Sequence, residues 1–519
     1  MADKIKLFVN GDEVEVETGK NLVDAIGAIG IEIPHLCYHP ALGADGNCRM
    51  CLVGLEEGGP PLVPACKTPA REGMKVLLDA EHIKKIQRDV MEFELINHPI
   101  DCPVCDQAGE CKLQDYYMAH DGQPSRMREP QVQKSKQMDF GGGVVHDQER
   151  CIVCGRCVRF LRQITKTGEL GIINRTDTTR VNIFPGRPID NRYGLNVVDL
   201  CPVGAMTSSD FRFKQRVWFL KKAPGICHGC SKGCNITVDH NKEKDRDDLI
   251  YRFRPRLNEQ VNGYFMCDEG RLSYKYENEG RLTQARFGKQ ERTLDDALLA
   301  CEKEISNAEK IVILLSPNSS LEQMVAVKAL GEKLGAALSG FSDGYIKKGD
   351  GDGYLIQDDK AANRACLQLL GIDCSRDHFE SSVREAQLLL NFDNDLGLSY
   401  DDGALGKLLT DTKLIAVSAH ESFATSLAFL AIPVASYSEY SGTIINCDNI
   451  LQHFNKAVTK NSEPADIASI ASRLGSPLAS GQIFAELQQI IKPLGAYSSD
   501  TIPAQGLNLN NSEAANVTA

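Results

Sequence analysis

The cysteines constrain this 519-residue chain more than any other feature. Fifteen of its 19 cysteines lie between Cys37 and Cys267. Disulfide scaffolds of secreted proteins are short, whereas this chain is long and ordinary in composition, with 42% hydrophobic and 25% charged residues. Cysteines crowded into part of a long chain favour metal ligation over disulfides. We therefore expect a metal-rich front half and a conventional back half.

Charge and hydropathy exclude several classes of protein. The formal net charge is −12, and a nucleic-acid-binding surface would require clustered basic charge. No segment has the ~18 consecutive apolar residues of a membrane span. The start of the chain alternates apolar and polar residues, which is typical neither of a signal peptide nor of a transit peptide. We expect a soluble intracellular chain with no nucleic-acid partner and no direct membrane span.

The first cysteine group follows a predicted strand pair (residues 4–8 and 13–17) and a predicted helix (residues 21–29). Its members are Cys37, Cys48, Cys51 and Cys66. Small residues in this loop allow backbone amides to point at sulfur. The group is similar to the plant-type [2Fe–2S] arrangement, although its first interval is longer. A zinc ribbon would have a second close pair of cysteines, so iron–sulfur is favoured.

The second group consists of three close cysteines and one histidine, namely His98, Cys102, Cys105 and Cys111. A helix predicted over residues 80–97, with Ile83, Ile86, Val90, Phe93 and Leu95 as its apolar positions, precedes them. Pro99 disfavours helical backbone at His98, so the helix should end there beside the cysteine loop. Either His98 completes a four-ligand set or a remote residue does. An imidazole in place of a thiolate would raise the potential of a cluster.

The third group gives the strongest signal, and its members are Cys151, Cys154, Cys157 and the remote Cys201. Three cysteines at two-residue intervals occupy three corners of a [4Fe–4S] cubane, and a remote Cys-Pro closes the fourth corner in two-cluster ferredoxins. The fourth local cysteine of the bacterial pattern is missing, because Leu161 follows Val158, Arg159 and Phe160. This spacing predicts a ferredoxin-like module with one cubane.

The fourth group consists of Cys227, Cys230, Cys234 and Cys267. Its spacing suits a [4Fe–4S] site, and zinc is a more serious alternative here than elsewhere. Four sites with four ligands require sixteen donors, and fifteen cysteines with His98 supply them. The other four cysteines, Cys301, Cys366, Cys374 and Cys447, are interpreted as small buried hydrophobic residues.

Four segments together resemble one protein family. HPIDCPVCDQAGECKLQDY, RCIVCGRCVRF, NVVDLCPVGAMT and NEQVNGYFMCDEGR are similar to the large iron–sulfur subunit of respiratory NADH:quinone oxidoreductase (complex I). The resemblance covers about residues 1–275 and implies one [2Fe–2S] cluster on the first group and a [4Fe–4S] cluster on each of the other three. The fourth group matches an additional distal cluster of some bacterial members.

The resemblance also implies a multidomain α/β and α+β fold. The expected parts are a β-grasp [2Fe–2S] ferredoxin-like domain (1–79), a His/Cys [4Fe–4S] segment (80–120), a [4Fe–4S] ferredoxin-like module (140–219) and a distal [4Fe–4S] domain (220–285). A shortened molybdopterin-oxidoreductase-like α/β domain without the molybdenum cofactor (286–495) and a disordered tail (496–519) complete the chain.

The back half shows alternating strand and helix patterns. Strands are predicted over residues 310–316, 386–392 and 414–418, with a helix running to Leu334 and ending at Gly335. This alternation predicts an open parallel α/β sheet. No G-x-G-x-x-G follows a predicted strand and no G-x-x-x-x-G-K-S/T motif occurs, so we expect no FMN or NAD on this chain. We also expect no molybdopterin, because the 252 residues after Cys267 are too few for the two-lobed cradle of molybdopterin enzymes.

The leading hypothesis for function is an electron relay. The resemblance implies transfer from an FMN/NADH-binding subunit toward quinone, with a small [2Fe–2S] subunit and other peripheral-arm subunits as partners. It also implies a location on the cytoplasmic side of a bacterial inner membrane, in preference to the mitochondrial matrix side, and no catalytic residue on this chain. One alternative is the iron–sulfur subunit of an NAD-linked hydrogenase or formate dehydrogenase. Another is a structural zinc protein.

Overall fold

The chain folds into two compact units, residues 1–219 and 220–519. The computed structural model describes residues 3–56, 62–244, 246–460 and 464–510. Within those ranges no helix is both long and apolar enough to cross a membrane.

In the described residues of the first unit, short strands combine with five α-helices. Its strands are β1 Lys4–Val9, β2 Asp12–Glu17, β3 Leu52–Leu55, β4 Val63–Pro64, β5 Lys75–Leu77, β6 Met138–Gly141, β7 Val144–His146, β8 Leu170–Ile173, β9 Arg180–Ile183 and β10 Met206–Ser208. Its helices are α1 Leu22–Gly27, α2 Glu81–Leu95, α3 Lys112–Tyr116, α4 Arg156–Gln163 and α5 Asn196–Leu200.

The amino-terminal sheet of this unit has the strand order β2-β1-β5-β3-β4. The predicted hairpin is present as β1 and β2, which pair antiparallel, while β1 and β5 pair parallel. Helix α1 begins where the side chain of Asn21 accepts a hydrogen bond from the amide of Asp24. It buries Leu22 and Ile26 completely against Leu7, so that the sheet and helix enclose one small core, as a β-grasp fold requires.

Helix α2 is the predicted helix before the second cysteine group, and it ends at Leu95, ahead of His98. Ile83 and Met91 are fully buried. Phe93 was predicted on the apolar face, but its side chain is 71% exposed. The buried face of α2 is therefore narrower than the positions of its apolar residues suggest.

The second unit contains thirteen strands and ten helices among the residues that the structure describes. The strands are β11 Lys221–Ile226, β12 Asn235–Asn241, β13 Leu249–Pro255, β14 Ala285–Phe287, β15 Gln290–Arg292, β16 Ile311–Leu315, β17 Ala337–Ser339, β18 Leu388–Phe392, β19 Lys413–Ser418, β20 Leu430–Pro433, β21 Gly442–Ile445, β22 Ile450–Phe454 and β23 Leu507–Asn508. The helices are α6 Asp268–Leu272, α7 Tyr274–Asn278, α8 Leu294–Asn307, α9 Leu321–Leu334, α10 Arg364–Leu369, α11 Arg376–Glu385, α12 Asp402–Leu408, α13 Phe423–Leu427, α14 Ile467–Arg473 and α15 Ser480–Ile490.

The largest sheet has the order β15-β14-β20-β19-β18-β16-β17. The five strands from β20 to β17 are parallel, as the sequence predicts, and their buried apolar runs are typical of a sheet covered on both faces. The hairpin β14–β15 joins antiparallel to β20, so the sheet is mixed and not purely parallel. Helix α9 begins with a capping box between Ser320 and Gln323 and ends at Gly335, whose φ is +63°, where the sequence placed its end.

The prediction of a disordered tail over residues 496–519 is wrong for part of that segment. Residues Ser499–Thr501 form a short helical turn, and β23 pairs with β22. The hydrogen bond from Leu509 N–H to the carbonyl of Asn449 holds this segment further. Backbone hydrogen bonds to an existing strand thus order a segment whose composition suggests a free tail. Residues 511–519 lie outside the described residues.

One face of the parallel sheet depends on a stacked aromatic pair. The rings of Phe341 and Phe379 lie parallel with centroids 4.9 Å apart, and both side chains are almost fully buried. Replacing Phe379 by Ala should lower the free energy of unfolding by about 3–5 kcal/mol, because it leaves a cavity under the sheet. Phe379→Leu should cost less, since it fills most of that space.

Hydrogen exchange of the amides in β16 and β18 measures this loss directly, because it reports local opening of that sheet. Equal protection in the Ala and Leu variants would contradict the assigned role of the pair.

Candidate metal centres

The first cysteine group is gathered in a buried loop of the amino-terminal domain. Cys37 and Cys48 form one hydrogen-bonded side-chain pair, and Cys51 and Cys66 form another. The amide of Cys37 lies 3.5 Å from the sulfur of Cys48. All four thiols are buried.

Backbone amides also point at these sulfurs, as the small residues of the loop predict. The amides of Gly46 and Asn47 bond to Cys37. The hydrogen bond with Cys48, together with these amides, lowers the pKa of the Cys37 thiol. Gly46 has φ +80°, and a Cβ there would lie 2.7 Å from Cε of Lys67. The loop therefore favours thiolate, the form of cysteine that binds metal, at Cys37, whereas the hydrogen bonds with Cys37 and Cys51 raise the pKa of Cys48 and of Cys66.

The second group lies at the end of α2. His98, Cys102 and Cys111 line one cavity of about 780 Å³, whose walls are mainly apolar. Cys105 is also buried. Its electrostatic interactions with Cys102 and Cys111 show that it lies near them.

The imidazole of His98 fits a metal ligand. Its Nδ1 is buried and has no hydrogen-bond partner. Burial lowers the pKa of His98 to about 4, so the ring is neutral at physiological pH and keeps a lone pair for a metal. Of the two possibilities that the sequence left open, the structure favours His98 over a remote residue.

Gly204 explains how the second and third groups fit together. A Cβ at this position would lie 2.3 Å from the sulfur of Cys105. No side chain fits there, so the backbone after Cys201 forms a wall for the second site. The amide of Lys112 also donates to the carbonyl of Pro202 at 3.0 Å. Neighbouring ligand loops are thus packed directly against each other.

The third group surrounds a smaller cavity, which all four of its cysteines line. Burial raises the pKa of Cys151 and of Cys154 to about 12. Amides of Val203, Ala205 and Met206 bond to Cys201. Burial therefore keeps these thiols protonated unless a positive centre lies among them, and the iron of a cluster would supply such a centre.

The fourth group lies in the second unit and lines a cavity of about 150 Å³. The amide of Gly229 lies 3.4 Å from the sulfur of Cys227, and the amide of Gly270 lies 3.3 Å from that of Cys267. A Cβ on Gly270 would approach these two sulfurs to 2.9 and 3.3 Å. Glycine is therefore required where the start of α6 faces the site.

The cysteines of the third group line one cavity, and those of the fourth group line another. A cubane takes one cysteine at each of four separate irons, and four cysteines around one cavity are compatible with that arrangement. The assignment of individual ligands remains a prediction.

Two arginines of α4 tie the third group to the first. Arg156 is 5% exposed, and it donates to the carbonyls of Tyr38 and Leu200. Arg159 donates to the carbonyls of Cys37, Leu42 and Gly43. Both guanidinium groups therefore hold the first cysteine loop against the helix that carries Cys157.

The charge of Arg156 lies among ligand sulfurs. Burial lowers its pKa, and the negative charges of Cys154, Cys201 and Cys37 oppose that effect. Sequence analysis did not identify Arg156, although a basic residue between two metal-ligand positions is a usable signal. It could not have identified the role of Gly204, because that role depends on a contact with a cysteine almost 100 residues away.

The cysteines outside the four groups follow the prediction only in part. Cys301 and Cys366 are fully buried. Cys374 is half-buried, and Cys447 is exposed, so the interpretation of Cys447 as a buried hydrophobic residue is wrong. Cys447 lies two residues after β21, in the turn to β22, where the chain faces solvent.

Comparison with protein families gives four matches along the chain. The 2Fe–2S iron–sulfur cluster binding domain matches residues 2–80, and the NADH-ubiquinone oxidoreductase-G iron–sulfur binding region matches 87–126. The ferredoxin-like domain of NADH-quinone oxidoreductase subunit 3 matches 141–207, and the molybdopterin oxidoreductase Fe4S4 domain matches 220–279.

Individual relatives agree with these matches. The G-type NADH-quinone oxidoreductase subunit of Rickettsia conorii is 37% identical over 343 residues, which are 64% of this chain and 49% of the relative. The NADH-ubiquinone oxidoreductase 75 kDa subunit of Reclinomonas americana is 35% identical over 340 residues, which are 64% of this chain and 48% of the relative. The chain is a homologue of the large iron–sulfur subunit of NADH-quinone oxidoreductase.

The homology covers only part of each relative. The chain spans about half the length of the curated relatives that it matches. The NAD+-reducing [NiFe]-hydrogenase in its H2-reduced state is 26% identical to the chain, over 41% of this chain and 91% of that one. Its TM-score is 0.36, too low for an inference. As a homologue of the large iron–sulfur subunit, the chain contains iron–sulfur-binding domains of both the 2Fe–2S and the 4Fe–4S type.

The contact at Gly204 generates a prediction. Gly204→Ala should place a methyl group against the sulfur of Cys105 and disturb the second group first. We expect iron content to fall and the low-temperature EPR signal of that site to be lost or altered. Gly27→Ala is the control, because nothing lies within 4 Å of its added Cβ.

If both alanine variants retained every EPR signal of the parent chain, the packing of Gly204 against Cys105 would have no role in the second site.

Proposed function

We propose that this chain is an electron-transfer iron–sulfur subunit of an NADH:quinone oxidoreductase. In this role it would accept electrons from an FMN-containing subunit and pass them toward quinone. Homology to the large iron–sulfur subunit and the four cysteine groups support this proposal.

The observation that carries the proposal is the closeness of the three cysteine groups of the first unit. Cys37 of the first group interacts electrostatically with Cys154 of the third. Cys201 of the third group interacts in the same way with Cys111 of the second. These interactions, with the contact between Gly204 and Cys105, support a close approach of the third group to both of the others. Electron transfer requires such close neighbours, whereas separate structural zinc sites do not.

The proposed ligands follow the four groups. Cys37, Cys48, Cys51 and Cys66 would hold a [2Fe–2S] cluster. Three [4Fe–4S] clusters would be held by His98, Cys102, Cys105 and Cys111, by Cys151, Cys154, Cys157 and Cys201, and by Cys227, Cys230, Cys234 and Cys267. When bound, these clusters supply one-electron redox chemistry. The chain itself contributes thiolates, backbone amides directed at sulfur and exclusion of water.

The proposed partners are subunits of the same complex. They are an FMN/NADH-binding subunit, a small [2Fe–2S] subunit and other peripheral subunits. The relatives' names as NADH-quinone oxidoreductase subunits support a place in a membrane-associated complex. We propose the cytoplasmic side of a bacterial membrane for that place.

Two alternatives predict different outcomes. An NAD-linked hydrogenase or formate dehydrogenase subunit would copurify with those catalytic subunits and not with quinone-reductase subunits. The names of the relatives do not favour it. A structural zinc protein would contain about four zinc ions per chain and have no visible absorbance.

Metal analysis of anaerobically purified chain tests the proposal. One [2Fe–2S] and three [4Fe–4S] clusters predict about 14 irons and as many acid-labile sulfides per chain. His98→Ala should lose about four of these irons, with the signals of the other clusters unchanged. His82→Ala is the matched control, because His82 is an exposed residue of α2.

A colourless preparation that contains zinc and shows no EPR signal after reduction would refute the electron-transfer function.

The buried charge of Arg156 predicts an effect on potentials. A cation stabilises the reduced, more negative state of a nearby cluster, so Arg156→Met should shift the first and third clusters to lower potential. A shift of roughly 60 mV corresponds to a tenfold change in a one-electron equilibrium. Arg156→Lys should retain most of the parent potential because it keeps the charge.

EPR-monitored redox titration measures these shifts, with the exposed Arg162→Met of the same helix as control. Equal potentials in the Met and Lys variants would show that Arg156 acts only through packing.

A further inference from the structure

The second unit contains a cavity that the electron-transfer role does not use. Its volume is about 520 Å³, within the range of small-molecule sites in proteins. It is lined by residues at or shortly after the carboxyl ends of four parallel strands. These are Asn318 and Ser319 after β16, Asp393 and Asp395 after β18, Ser418 at the end of β19 with His420 after it, and Ser436 and Tyr437 after β20.

The topology of the sheet explains this position. From β16 the chain first adds β17 on one side and then β18 on the other. The connections that leave β16 and β18 therefore run in opposite directions and open a crevice at their carboxyl ends. Ligands of open α/β sheets bind at such switch points.

Three buried polar atoms at the cavity have no hydrogen-bond partner among the described residues. Nε2 of Gln323, Nε2 of His228 and the hydroxyl of Tyr437 are buried and make no hydrogen bond with the described residues. Gln323 is 2% exposed, and its Oε1 is occupied by the amide of Ser320. Its free N–H group therefore requires a hydrogen-bond acceptor within the cavity.

The charges of the wall are negative. Glu277, Asp393, Asp395 and Glu421 line the cavity, and among the described residues no Lys or Arg does. A phosphate or another anion would meet repulsion on this wall. The cavity therefore differs from the anion sites at helix N-termini that bind nucleotides in many α/β sheets.

Three of these carboxylates each use only one oxygen as a hydrogen-bond acceptor. Within the described residues, Asp393 uses Oδ1 for Ser418 and Ala419, and Asp395 uses Oδ1 for Gly397. Glu277 uses Oε2 for two serine hydroxyls. The other oxygen of each carboxylate receives no hydrogen bond.

The guanidinium group of Arg281 makes no hydrogen bond with these three carboxylates within the described residues, although its charge opposes the rise in the pKa of Asp393 and of Glu277. Arg281 bonds to both carboxylate oxygens of Glu439 and to the carbonyls of Ala419 and Val434. Burial raises the pKa of Asp393 to about 6. A cation in the cavity would offset this cost of burying carboxylates.

Aromatic rings complete the wall. Tyr276 is stacked on His420 with centroids 3.8 Å apart, and Tyr437 is stacked on His228 at 4.0 Å. Tyrosine faces attract organic cations. We propose that this cavity binds a small organic cation with a guanidinium or amine group, held by Asp393, Asp395 and Glu277, and that Gln323 donates to an acceptor on the same molecule.

A metal ion is a poorer fit than an organic cation. Within the described part of the chain, no three acidic, histidine or cysteine side chains are placed to hold one ion. The cavity is also many times larger than a single metal ion. The proposal goes beyond the electron-transfer function and does not depend on it.

Isothermal titration calorimetry of the full chain, purified with its clusters, tests this proposal. The probes are L-arginine, agmatine, L-citrulline and sodium pyrophosphate. L-arginine and L-citrulline share their shape but differ in side-chain charge. We expect L-arginine and agmatine to bind at one site per chain, and L-citrulline to bind roughly tenfold or more weakly than L-arginine.

Variants assign the binding to this cavity. Asp393→Asn keeps the acceptor for Ser418 and Ala419 but removes the charge, and it should weaken both cations roughly tenfold. Gln323→Glu keeps the capping box but removes the donor, and it should weaken L-arginine more than agmatine. Glu332→Gln, an exposed change on α9, should change neither affinity. Unaltered melting temperatures and cluster spectra show that the variants are folded.

Three results would overturn the proposal. They are equal binding of L-arginine and L-citrulline, saturable binding of pyrophosphate in preference to the cations, and no saturable binding of either cation. None of these outcomes bears on iron content or cluster potentials, so the proposed electron-transfer function would stand or fall separately.

Discussion

The burial of sulfur is the constraint on which the front unit depends. Burial raises the pKa of Cys151, Cys154 and Cys111 to about 11–12, so these thiols oppose ionisation unless a positive centre lies among them. Iron bound as a cluster supplies that charge and links metal binding to folding. The surrounding backbone then contributes amides to the sulfurs, as Val203 and Ala205 do for Cys201. The short strands and helices of this unit serve chiefly to hold these loops.

The close packing of neighbouring ligand loops follows from two kinds of residue. Gly204 lets the backbone of one loop touch the sulfur of another. Arg156 fixes its guanidinium between the first and third groups through carbonyl acceptors. A glycine leaves room for the close contact and an arginine bonds to both loops, and together they bring neighbouring cysteine groups close to each other.

The back unit is organised on a different principle. Its parallel sheet is stabilised by apolar burial on both faces, and its carboxyl edge opens into a cavity with acidic and aromatic walls. Within the described residues, three buried polar atoms there have no hydrogen-bond partner, on Gln323, His228 and Tyr437. Unsatisfied buried donors reduce stability, which is why they point to a ligand in preference to a structural role.

The sequence by itself determined the features that depend on local spacing. Four ligand groups, the hairpin β1–β2, the end of α2 before His98 and the strands of the back sheet are read from intervals of a few residues, because turns and caps are local. Only the tertiary structure decided that the third group lies close to both the first and the second, that Gly204 abuts Cys105, and that Asp393 and Glu277 share a cavity. These contacts join residues about 100 or more positions apart. Their energies depend on how separate elements pack, and no local pattern encodes that packing.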